Sequence, residues 1–554
     1  MPSNTLFVNM KNYISSTLLF IMSFSLCAQE SFMSLNRNYM IRFEPELNKL
    51  DASFHTAFKP YRFSEVKKCM NADSVNNTFY TDPGKTRTLV GKKIRTESLL
   101  NIKTSDFSLE VDPLCNFEYG RDLISDTSVH VNTRGIQARG SIGEKFAFYT
   151  SFYENQATFV NYLDGYIRKN NVIPGQGFFK IFKNGQGFDY SMASGYISYT
   201  PSRYFNFQFG HDKNFIGDGY RSLLLSDNAF NYPFLKVTTN VWHFQYTNLY
   251  TSFLDIRNPL AFNNVGFDKK YATIHYLSWN ICRRLNIGFF EAVVWRSEDS
   301  TKVRGYDVDY LNPVIFFRPV EFSLGSSDNA LMGLTSKFKI SDYNLFYGQL
   351  LLDEFKLNEV KGGKGWYANK QAFQLGLKSY NLFTVPNLNL QAEYNFVRPF
   401  TYSHYNTIQN YAHYNQPLAH PLGANFWEGL LFLNYRYKSF FAETRISYAL
   451  YGADTVDSAG KYYSYGQNLY VPYTDHAVIN PQDKDHGFFV GKGLQNTLAY
   501  VDFKVAYVIN PKINLNIELG ISTRTQNNSI QGTKKTNTIY LGLRTSLSNH
   551  YYDF

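Results

Sequence analysis

Strict alternation of apolar and polar residues, repeated in about eighteen segments of the 554-residue chain, limits the fold more than any other sequence feature. In residues 387–396, leucine, alanine and aromatic side chains take every second position, and asparagine, glutamine and glutamate take the positions between them. Residues 513–522 repeat the pattern with isoleucine and leucine. Successive side chains of a strand point to opposite faces of its sheet, so each segment predicts a strand with one apolar and one polar face.

The connections between these segments alternate in length. Short ones, such as 143–144, 201–202 and 341–342, follow every second strand. The long ones lie at 119–128, 156–190, 212–232, 255–270, 297–328, 354–370, 397–424, 450–496 and 523–537. Short turns at one end and long loops at the other are typical of outer-membrane barrels. We therefore predict an all-β fold over residues 105–554, a transmembrane antiparallel β-barrel of about 18 strands whose last strand covers 538–554.

The composition favours membrane-spanning strands over membrane-spanning helices. The chain has 44 tyrosines and 49 phenylalanines, yet its mean hydropathy is −0.33. Strands that are apolar on one face only combine a high aromatic content with low hydropathy. The formal net charge of +10 comes from basic residues scattered over turns and loops, so we predict no nucleic-acid partner. Outer-membrane lipid and lipopolysaccharide are the expected surroundings.

Residues 1–28 have the pattern of a signal peptide. Lys11 supplies a positive charge, residues 13–26 are mostly apolar, and a cleavage site follows at Cys27-Ala28-Gln29. Lipidation of Cys27 is the alternative. Residues 29–104 lack the alternation and space their apolar residues loosely as in a helix. We predict that this segment is partly helical, lies in the periplasm and plugs or caps the barrel; a disordered leader is the alternative.

The third long connection contains a stretch, Phe215–Ala229, that is too apolar for a free loop. Gly217 and Gly219 permit turns that other residues rarely adopt. The leucines at 223–225 require burial, so we expect this loop to fold into the barrel and narrow its pore. Its polar side chains either brace the folded loop or bind a ligand, and these candidate residues are Asp218, Tyr220, Arg221, Asp227 and Asn228.

The fifth long connection contains a second apolar stretch, Tyr310–Phe322. After it, Ser327-Asp-Asn-Ala330 repeats the Ser226-Asp-Asn-Ala229 of the first stretch. Two of its charged residues are three positions apart, a spacing that permits a local ion pair if the run is helical. The same two interpretations, bracing or ligand binding, apply to its candidate residues Arg318, Glu321, Asp328 and Asn329.

Signs of catalysis are few. The chain lacks a Gly-x-Ser-x-Gly elbow, a His-Glu-x-x-His pair, a phosphate-binding Gly-x-x-x-x-Gly-Lys loop and a Cys-x-x-Cys pair. His404, His413 and His420 lie in one long connection, but at spacings that do not suit a metal site. We predict no enzymatic activity, no cofactor and no metal, with an active site assembled from distant strands as the alternative.

The stretch Phe215–Lys236 resembles a motif of the Wzi-type capsule-assembly barrels, a Gly-x-Gly followed by Ser-Leu-x-Leu-Ser-x-Asn-Ala and a proline. The matching residues here are Gly217, Gly219, Ser222, Leu223, Leu225, Ser226, Asn228, Ala229 and Pro233. In its overall layout, with a signal peptide, an N-terminal segment and two apolar loops, the chain resembles the RemB-type gliding-motility outer-membrane proteins of flavobacteria.

The resemblance implies a barrel of about eighteen strands in the Gram-negative outer membrane, with a helical part at its periplasmic mouth. It implies a non-enzymatic role, in which inward-folded extracellular loops support gliding motility or the attachment of capsular polysaccharide. Surface polysaccharide and proteins of the gliding or secretion machinery would then be the partners. The alternative is a channel or export gate with a pore occluded by its loops, since a cylinder of this size is wide enough to conduct if the loops move.

Overall fold

The computed structural model describes residues 31–71, 75, 88–182, 185–257, 266–299, 302–313 and 328–554. The predicted signal peptide lies outside the described residues. Over these ranges, eighteen strands form one closed antiparallel barrel, which confirms the predicted fold class.

The barrel strands are numbered in chain order. They are β1 Phe107–Asp122, β2 Thr127–Ile142, β3 Phe146–Thr158, β4 Gly187–Tyr199, β5 Phe205–Asp212, β6 Tyr232–Val241, β7 Phe244–Asp255, β8 Asp268–Asn280, β9 Leu285–Arg296, β10 Asn329–Lys339, β11 Asn344–Glu354, β12 Lys370–Ser379, β13 Leu388–Val397, β14 Phe426–Tyr437, β15 Phe440–Ala453, β16 Leu494–Asn510, β17 Leu515–Asn528 and β18 Gly532–Arg544. Each pairs with its neighbours in sequence, and β18 closes on β1 from Thr538↔Asp122 to Arg544↔Asn116.

The remaining elements are short. The helices are α1 Arg37–Met40, α2 Glu44–Leu47, α3 Phe63–Cys69, α4 Leu89–Arg95, α5 Asn161–Asn170 and α6 Leu357–Gly362. Single 3-10 turns lie at Val308–Leu311, Leu382–Thr384, Thr407–Gln409 and Tyr473–Asp475. Short strands lie at Phe58–Lys59, Leu100–Lys103, Lys180–Phe182, Phe215–Ile216, Glu298–Asp299, Lys302–Val303, Ala412–His413, Gln416–Pro417, Thr455–Val456 and Tyr462–Tyr463.

The two ends of the barrel differ. One, the loop end, carries the long connections 159–186, 213–231, 256–267, 297–328, 355–369, 398–425 and 454–493. The other, the turn end, carries short connections, and there the chain enters β1 and leaves β18. Two predicted long connections, 119–128 and 523–537, are wrong: they are tight turns at 123–126 and 529–531. The flanking strands continue because backbone pairing persists through polar residues, as at Gln526↔Lys534.

The outer face of the barrel is apolar and the inner face is polar. In β14, Leu431 and Leu433 are exposed on the outside, whereas Asn434 and Arg436 point inward and are buried. Leu375 and Phe209 are exposed on other strands in the same way. Such an outer belt is the surface that a membrane-spanning barrel presents to lipid. Among the helices described, none has the length and hydropathy of a membrane span.

The predicted final strand, 538–554, is wrong in its second half. β18 ends at Arg544, and residues 545–554, here called the tail, turn into the lumen, where Tyr551 and Asp553 are buried. Ile539 and Leu541 on β18 face outward. The same alternation would turn Asp553 outward if the strand continued, opposite Phe107 at the turn end, whereas in the lumen its carboxylate lies between Arg221 and Arg445.

The sheet also begins earlier than predicted. Leu100–Lys103, here called the rim strand, pairs with the part of β1 that lies beyond the end of β18. The rim strand pairs from Leu100↔Val111 to Lys103↔Ser108. It uses the same edge of β1 that pairs with β18 nearer the loop end. The rim strand therefore covers backbone groups that the inward turn of the tail would leave unpaired.

Residues 31–71 occupy the lumen near the turn end. Helices α1 to α3 pack around a small apolar core of their own, formed by Met33, Met40, Phe43, Leu47, Phe54, Tyr61 and Val66. Polar contacts join this segment to the wall: Lys378 Nζ lies 2.8 Å from Glu44 Oε2, and Asn48 Nδ2 lies 3.1 Å from the Tyr380 hydroxyl. The segment fills the barrel on that side.

Candidate functional site

The connection 213–231, here called the plug loop, folds into the barrel. Leu223, Leu224 and Leu225 are fully buried and join the main apolar cluster of the lumen. Ile216 donates its N–H to the Leu225 carbonyl at 2.8 Å, which closes the loop on itself. The wall holds it through Gln349, whose amide accepts from Leu223 N–H at 2.8 Å and donates to the Ile216 carbonyl at 3.0 Å.

The two glycines of the motif allow the loop to approach the wall closely. Gly217 has a φ of +145°, a conformation that side-chain-bearing residues rarely adopt. At Gly219 an added Cβ would lie 2.4 Å from Glu393 Oε2. That carboxylate accepts the backbone N–H groups of Tyr220 at 2.8 Å and Arg221 at 3.1 Å. Because Gly219 has no side chain, the Glu393 carboxylate can approach closely enough to accept both hydrogen bonds.

Arg221 is the charged centre of the plug loop and is 1% exposed. Its guanidinium binds Glu428 on β14 with two contacts, of 2.9 and 3.2 Å, and lies 3.1 Å from Asp553 of the tail. Burial alone would lower the pKa of Arg221, but the attraction of these two carboxylates raises it well above its usual range. Arg221 is therefore a permanent cation between wall and tail.

The tail locks the plug loop from the turn end. The Tyr551 hydroxyl donates to Asp227 at 2.6 Å, and Asn549 Nδ2 donates to the other oxygen of that carboxylate at 2.9 Å. Asp553 accepts from Arg445 of β15 at 3.0 Å in addition to its contact with Arg221. One short segment thus joins the plug loop to the wall.

The N-terminal segment and the connection 398–425 hold the plug loop from two further sides. The short strand Phe58–Lys59 pairs with Phe215–Ile216, and Asp218 accepts a hydrogen bond from the Thr56 hydroxyl. Asn228 donates its amide to the Pro417 carbonyl at 3.0 Å. The candidate residues of the first apolar stretch are therefore buried and hydrogen-bonded within the protein, which is the arrangement that bracing requires.

The second apolar stretch is described only at its start, residues 310–313, and the chain is described again from Asp328. Arg318 and Glu321 lie outside the described residues. Asp328 accepts from Arg304 and from the Tyr310 hydroxyl, both at 2.8 Å, and Asn329 donates to the Gln409 carbonyl at 2.8 Å. The repeated Ser-Asp-Asn-Ala sequence thus places an aspartate against a tyrosine hydroxyl twice, Asp227 with Tyr551 and Asp328 with Tyr310.

The three histidines of connection 398–425 have separate partners. His413 accepts the Leu254 N–H at 3.0 Å through Nδ1 and contacts the Asn231 carbonyl at 3.1 Å through Nε2, and burial lowers its pKa to about 3. His420 Nε2 lies 2.7 Å from Glu428. In the described part of the chain, no group of three metal-ligating residues has the geometry of a metal site.

Sequence reasoning missed the wall residues that receive the plug loop. Glu393, Glu428, Arg445 and Gln349 all stand on inward faces of strands. Glu393 already lies on the polar face of the predicted strand 387–396, so its inward direction was available from the alternation. The contact of Glu393 with the plug loop could not be predicted from the sequence, because it depends on where a loop distant in the chain folds inside the lumen.

Aromatic rings from three connections form a cluster at the loop end, here called the aromatic patch: Trp366, Tyr367, His404, Tyr405 and Tyr473. Tyr405 is exposed, His404 is buried, and the other three rings are half-buried. The ring centroids of successive members lie 4.3 to 6.2 Å apart. Lys370 Nζ lies 4.4 Å from the centre of the Tyr473 ring. Asp485, with an exposed carboxylate, lies at the edge of the cluster, where its backbone carbonyl accepts the Tyr367 N–H at 3.0 Å.

Comparisons with solved structures support the fold. The chain superposes on Wzi of Escherichia coli, an outer-membrane protein involved in group 1 capsule assembly and described as a carbohydrate-binding barrel, with a TM-score of 0.53. The alignment covers 94% of this chain and all of Wzi at 12% identity. The two proteins share a fold.

Pseudomonas aeruginosa OprD also matches, with a TM-score of 0.40 and 11% identity over 83% of this chain and 98% of that one. Acinetobacter baumannii OccAB2 matches with a TM-score of 0.42 and 11% identity over 79% and 98%. No family model and no curated protein sequence matches the chain.

Proposed function

We propose that the protein is a non-enzymatic outer-membrane barrel that attaches surface polysaccharide to the cell and thereby supports gliding motility. The observation that carries the proposal is the closure of the lumen by three segments of the chain itself, the plug loop, the tail and residues 31–71. A barrel closed in this way offers its loop end as the surface for ligands. The carbohydrate-binding description of Wzi, which has the same fold, supports this choice.

Two spaces beside the plug loop and the tail are small, and a larger one of about 360 Å³ lies at the turn end beside residues 50–53. The cavity bounded by Arg37, Tyr220 and Tyr551 measures about 40 Å³, and the one between residues 32–35, the tail and the wall about 90 Å³. Such volumes hold a few water molecules, each of which takes about 30 Å³ in the liquid. Passage of a sugar chain through either of them would require the plug to move.

The aromatic patch is the part of the loop end best suited to a glycan. Sugar rings present C–H faces that pack on aromatic rings and hydroxyl groups that bond to carboxylates and amides. Trp366, Tyr367 and Tyr473 supply the rings, and the Asp485 carboxylate supplies acceptors at the edge. The plug loop contacts the connection that carries His404 and Tyr405, since the Tyr402 hydroxyl donates to the Leu223 carbonyl at 2.8 Å.

Removing two rings of the patch is expected to release polysaccharide. The double substitution Trp366→Ala with Tyr473→Ala should weaken retention about tenfold, since each aromatic contact contributes about 0.5–1.5 kcal/mol. Cell-bound and released polysaccharide are measured on strains with equal barrel abundance. Tyr462→Ala is the matched control, because Tyr462 is 44% exposed in connection 454–493 but lies outside the patch. Equal retention in the two variants would contradict the proposal.

The link to gliding is tested with a deletion strain scored in parallel for spreading and for polysaccharide release. We expect both to change together, because the proposed role in motility acts through the attached polysaccharide. Lost spreading with normal retention would instead assign the barrel to a protein partner in the gliding or secretion machinery.

A channel or export gate is the second candidate, and the polar lumen is the observation that favours it. Glu443, Lys504, Glu518 and Arg544 line the inner wall near the tail, so a barrel without its plug would hold a wet, charged pore. Purified wild-type protein in planar bilayers separates the two roles. Large, steady openings would support the channel and contradict a permanently plugged anchor.

The proposed orientation places the loop end outside the cell. A cysteine at Asp475, exposed on connection 454–493, should react with an impermeant maleimide on intact cells. A cysteine at Ser105, exposed at the turn end between the rim strand and β1, should react only after the cells are opened. The comparison uses a background in which the exposed Cys69 and Cys282 are replaced by serine. The reverse labelling pattern would contradict this orientation.

A further inference from the structure

A cavity of about 360 Å³, here called the mouth cavity, lies at the turn end beside residues 50–53. Its other side is formed by residues 281–284, which join β8 to β9, and by the ends of β8, β9 and β10 at the same end of the barrel. Sites for small molecules have volumes of about 300–1,000 Å³, so the mouth cavity has room for a ligand.

Positive charge is concentrated around the mouth cavity. The side chains that line it include four cations, which are Arg283, Arg284, Lys337 and Lys339. Among the described residues, the lining contains one carboxylate, that of Asp51. None of these five side chains forms an ion pair within the part of the chain that the structure describes. Positive charge therefore exceeds negative charge at this cavity.

Lys339, the last residue of β10, is a buried cation beside the mouth cavity, with 4% of its surface exposed. Its Nζ donates to the backbone carbonyls of Lys49 and Ala52, both at 2.7 Å. Carbonyl oxygens orient an ammonium group but carry no net charge. Buried ions in proteins are normally paired with an opposite charge, and for Lys339 the mouth cavity is the space in which such a partner has room.

Lys337 differs from Lys339 because the plug loop offsets part of its charge. Its Nζ donates to the Thr56 hydroxyl, and that hydroxyl donates to the Asp218 carboxylate. A carboxylate one hydroxyl away stabilises the ammonium group without a direct ion pair. The cations of the mouth cavity that have no carboxylate so placed, among the described residues, are Lys339 and the two arginines.

Arg283 and Arg284 are exposed on the turn that borders the mouth cavity. Arg284 Nη1 donates to the Ile340 carbonyl at 2.5 Å and to the Lys339 carbonyl at 3.4 Å. These bonds hold its guanidinium at the end of β10, close to the backbone of the buried lysine. Guanidinium groups bind phosphate and carboxylate oxygens through pairs of parallel N–H groups, so this turn presents donors that suit an oxyanion.

We propose that the mouth cavity binds a small molecule that carries phosphate groups, and that Arg283, Arg284 and Lys339 contact those groups. A phosphate group carries up to about two negative charges near neutral pH and has several acceptor oxygens, which suits three cations without a carboxylate partner. A single carboxylate offsets one charge only. The site lies at the turn end and is independent of the polysaccharide proposed for the loop end.

Calorimetric titration of the purified full-length barrel with sodium pyrophosphate, in a nonionic detergent at low ionic strength, tests the proposal. The double substitution Arg283→Gln with Arg284→Gln should weaken binding about tenfold or more, because each arginine supplies charge-assisted hydrogen bonds. Lys145→Gln with Arg203→Gln is the matched control, since these exposed cations lie on other turns of the same end, outside the cavity. The control pair removes the same charge and should bind pyrophosphate as the wild type does.

Cys282 gives a second readout in the wild-type protein, because its exposed thiol also lines the mouth cavity. Alkylation by iodoacetamide is followed by mass spectrometry on the peptide that contains Cys282. Saturating pyrophosphate should slow it about fivefold, since a bound anion blocks access and lowers the thiolate fraction. Sodium chloride at the same ionic strength should leave the rate unchanged.

Three results would overturn the proposal. Equal affinities of the arginine variant and its control, or pyrophosphate binding that leaves the alkylation of Cys282 unchanged, would place the anion outside the mouth cavity. Sodium citrate is the comparison ligand, because it carries several carboxylates and no phosphate. Citrate that binds as tightly as pyrophosphate and protects Cys282 equally would show a site for anions in general and contradict the assignment to phosphate.

Discussion

Replacing Arg221 by alanine is expected to lower the free energy of unfolding by about 3 kcal/mol, the lower part of the range for breaking a buried ion pair. The side chains of Arg221, Glu428 and Asp553 are at most 2% exposed. Without the guanidinium, Asp553 keeps Arg445, whereas Glu428 keeps His420 and the Asn395 amide, which donates to it at 3.2 Å. The cost is therefore that of one buried carboxylate that has lost its arginine.

The measurement is the temperature at which the purified barrel loses its compact, heat-modifiable form in detergent. Arg121→Ala is the control, since Arg121 and Asp126 form an ion pair at 2.6 Å with side chains 52% and 77% exposed. Exposed pairs contribute about 0–1 kcal/mol, so the control should unfold close to the wild-type temperature. Equal temperatures for all three proteins would contradict the bracing role.

The same variant separates bracing from ligand binding at the plug loop. If Arg221 only braces, the substitution lowers barrel stability and changes polysaccharide retention no more than it changes barrel abundance. If Arg221 binds glycan, retention falls while the unfolding temperature holds. The burial of Arg221 beneath connection 398–425 and its contacts with Glu428 and Asp553 favour the first result.

The barrel itself was predictable because its signal is local. Alternation with period two places every second residue in lipid, and lipid tolerates few exceptions, so each strand can be recognised within its own ten or so residues. The burial of the plug loop was also predictable at Leu223–Leu225, since three consecutive leucines favour an apolar environment in any fold. Both inferences require only the chemistry of a short segment.

The partners inside the lumen were not predictable, because they come from distant parts of the chain. Arg221 meets Glu428 and Asp553, which are separated from it by hundreds of residues and face it across the barrel. The inward turn of the tail was missed for a related reason. Tyr552 and Phe554 have the spacing of a terminal strand, but they fall on the inward face of β18 that Ile539 and Leu541 define. The attraction of Asp553 to Arg221 and Arg445 then holds the tail in the lumen.

Deleting residues 549–554 is expected to leave the barrel inserted but no longer closed inside. β18 completes its pairing with β1 at Arg544, so the wall does not need these residues. The plug loop loses the Tyr551 and Asn549 contacts with Asp227, and Arg221 and Arg445 lose Asp553. Two buried cations on one side of the lumen then repel each other, which favours hydration and movement of the loop.

Planar-bilayer conductance gives the readout, with wild-type protein closed and the deletion variant showing frequent openings. Asp553→Asn is the matched variant: it keeps the tail and its tyrosine contact but removes the charge, so its openings should be fewer than those of the deletion and more than those of wild type. A deletion variant that inserts and stays closed would show that the loop and residues 31–71 close the barrel without the tail. A deletion variant that is absent from the membrane would show that the tail is needed for assembly of the barrel. The tail sequence would then have a role during insertion that is separate from its role in the lumen of the folded protein.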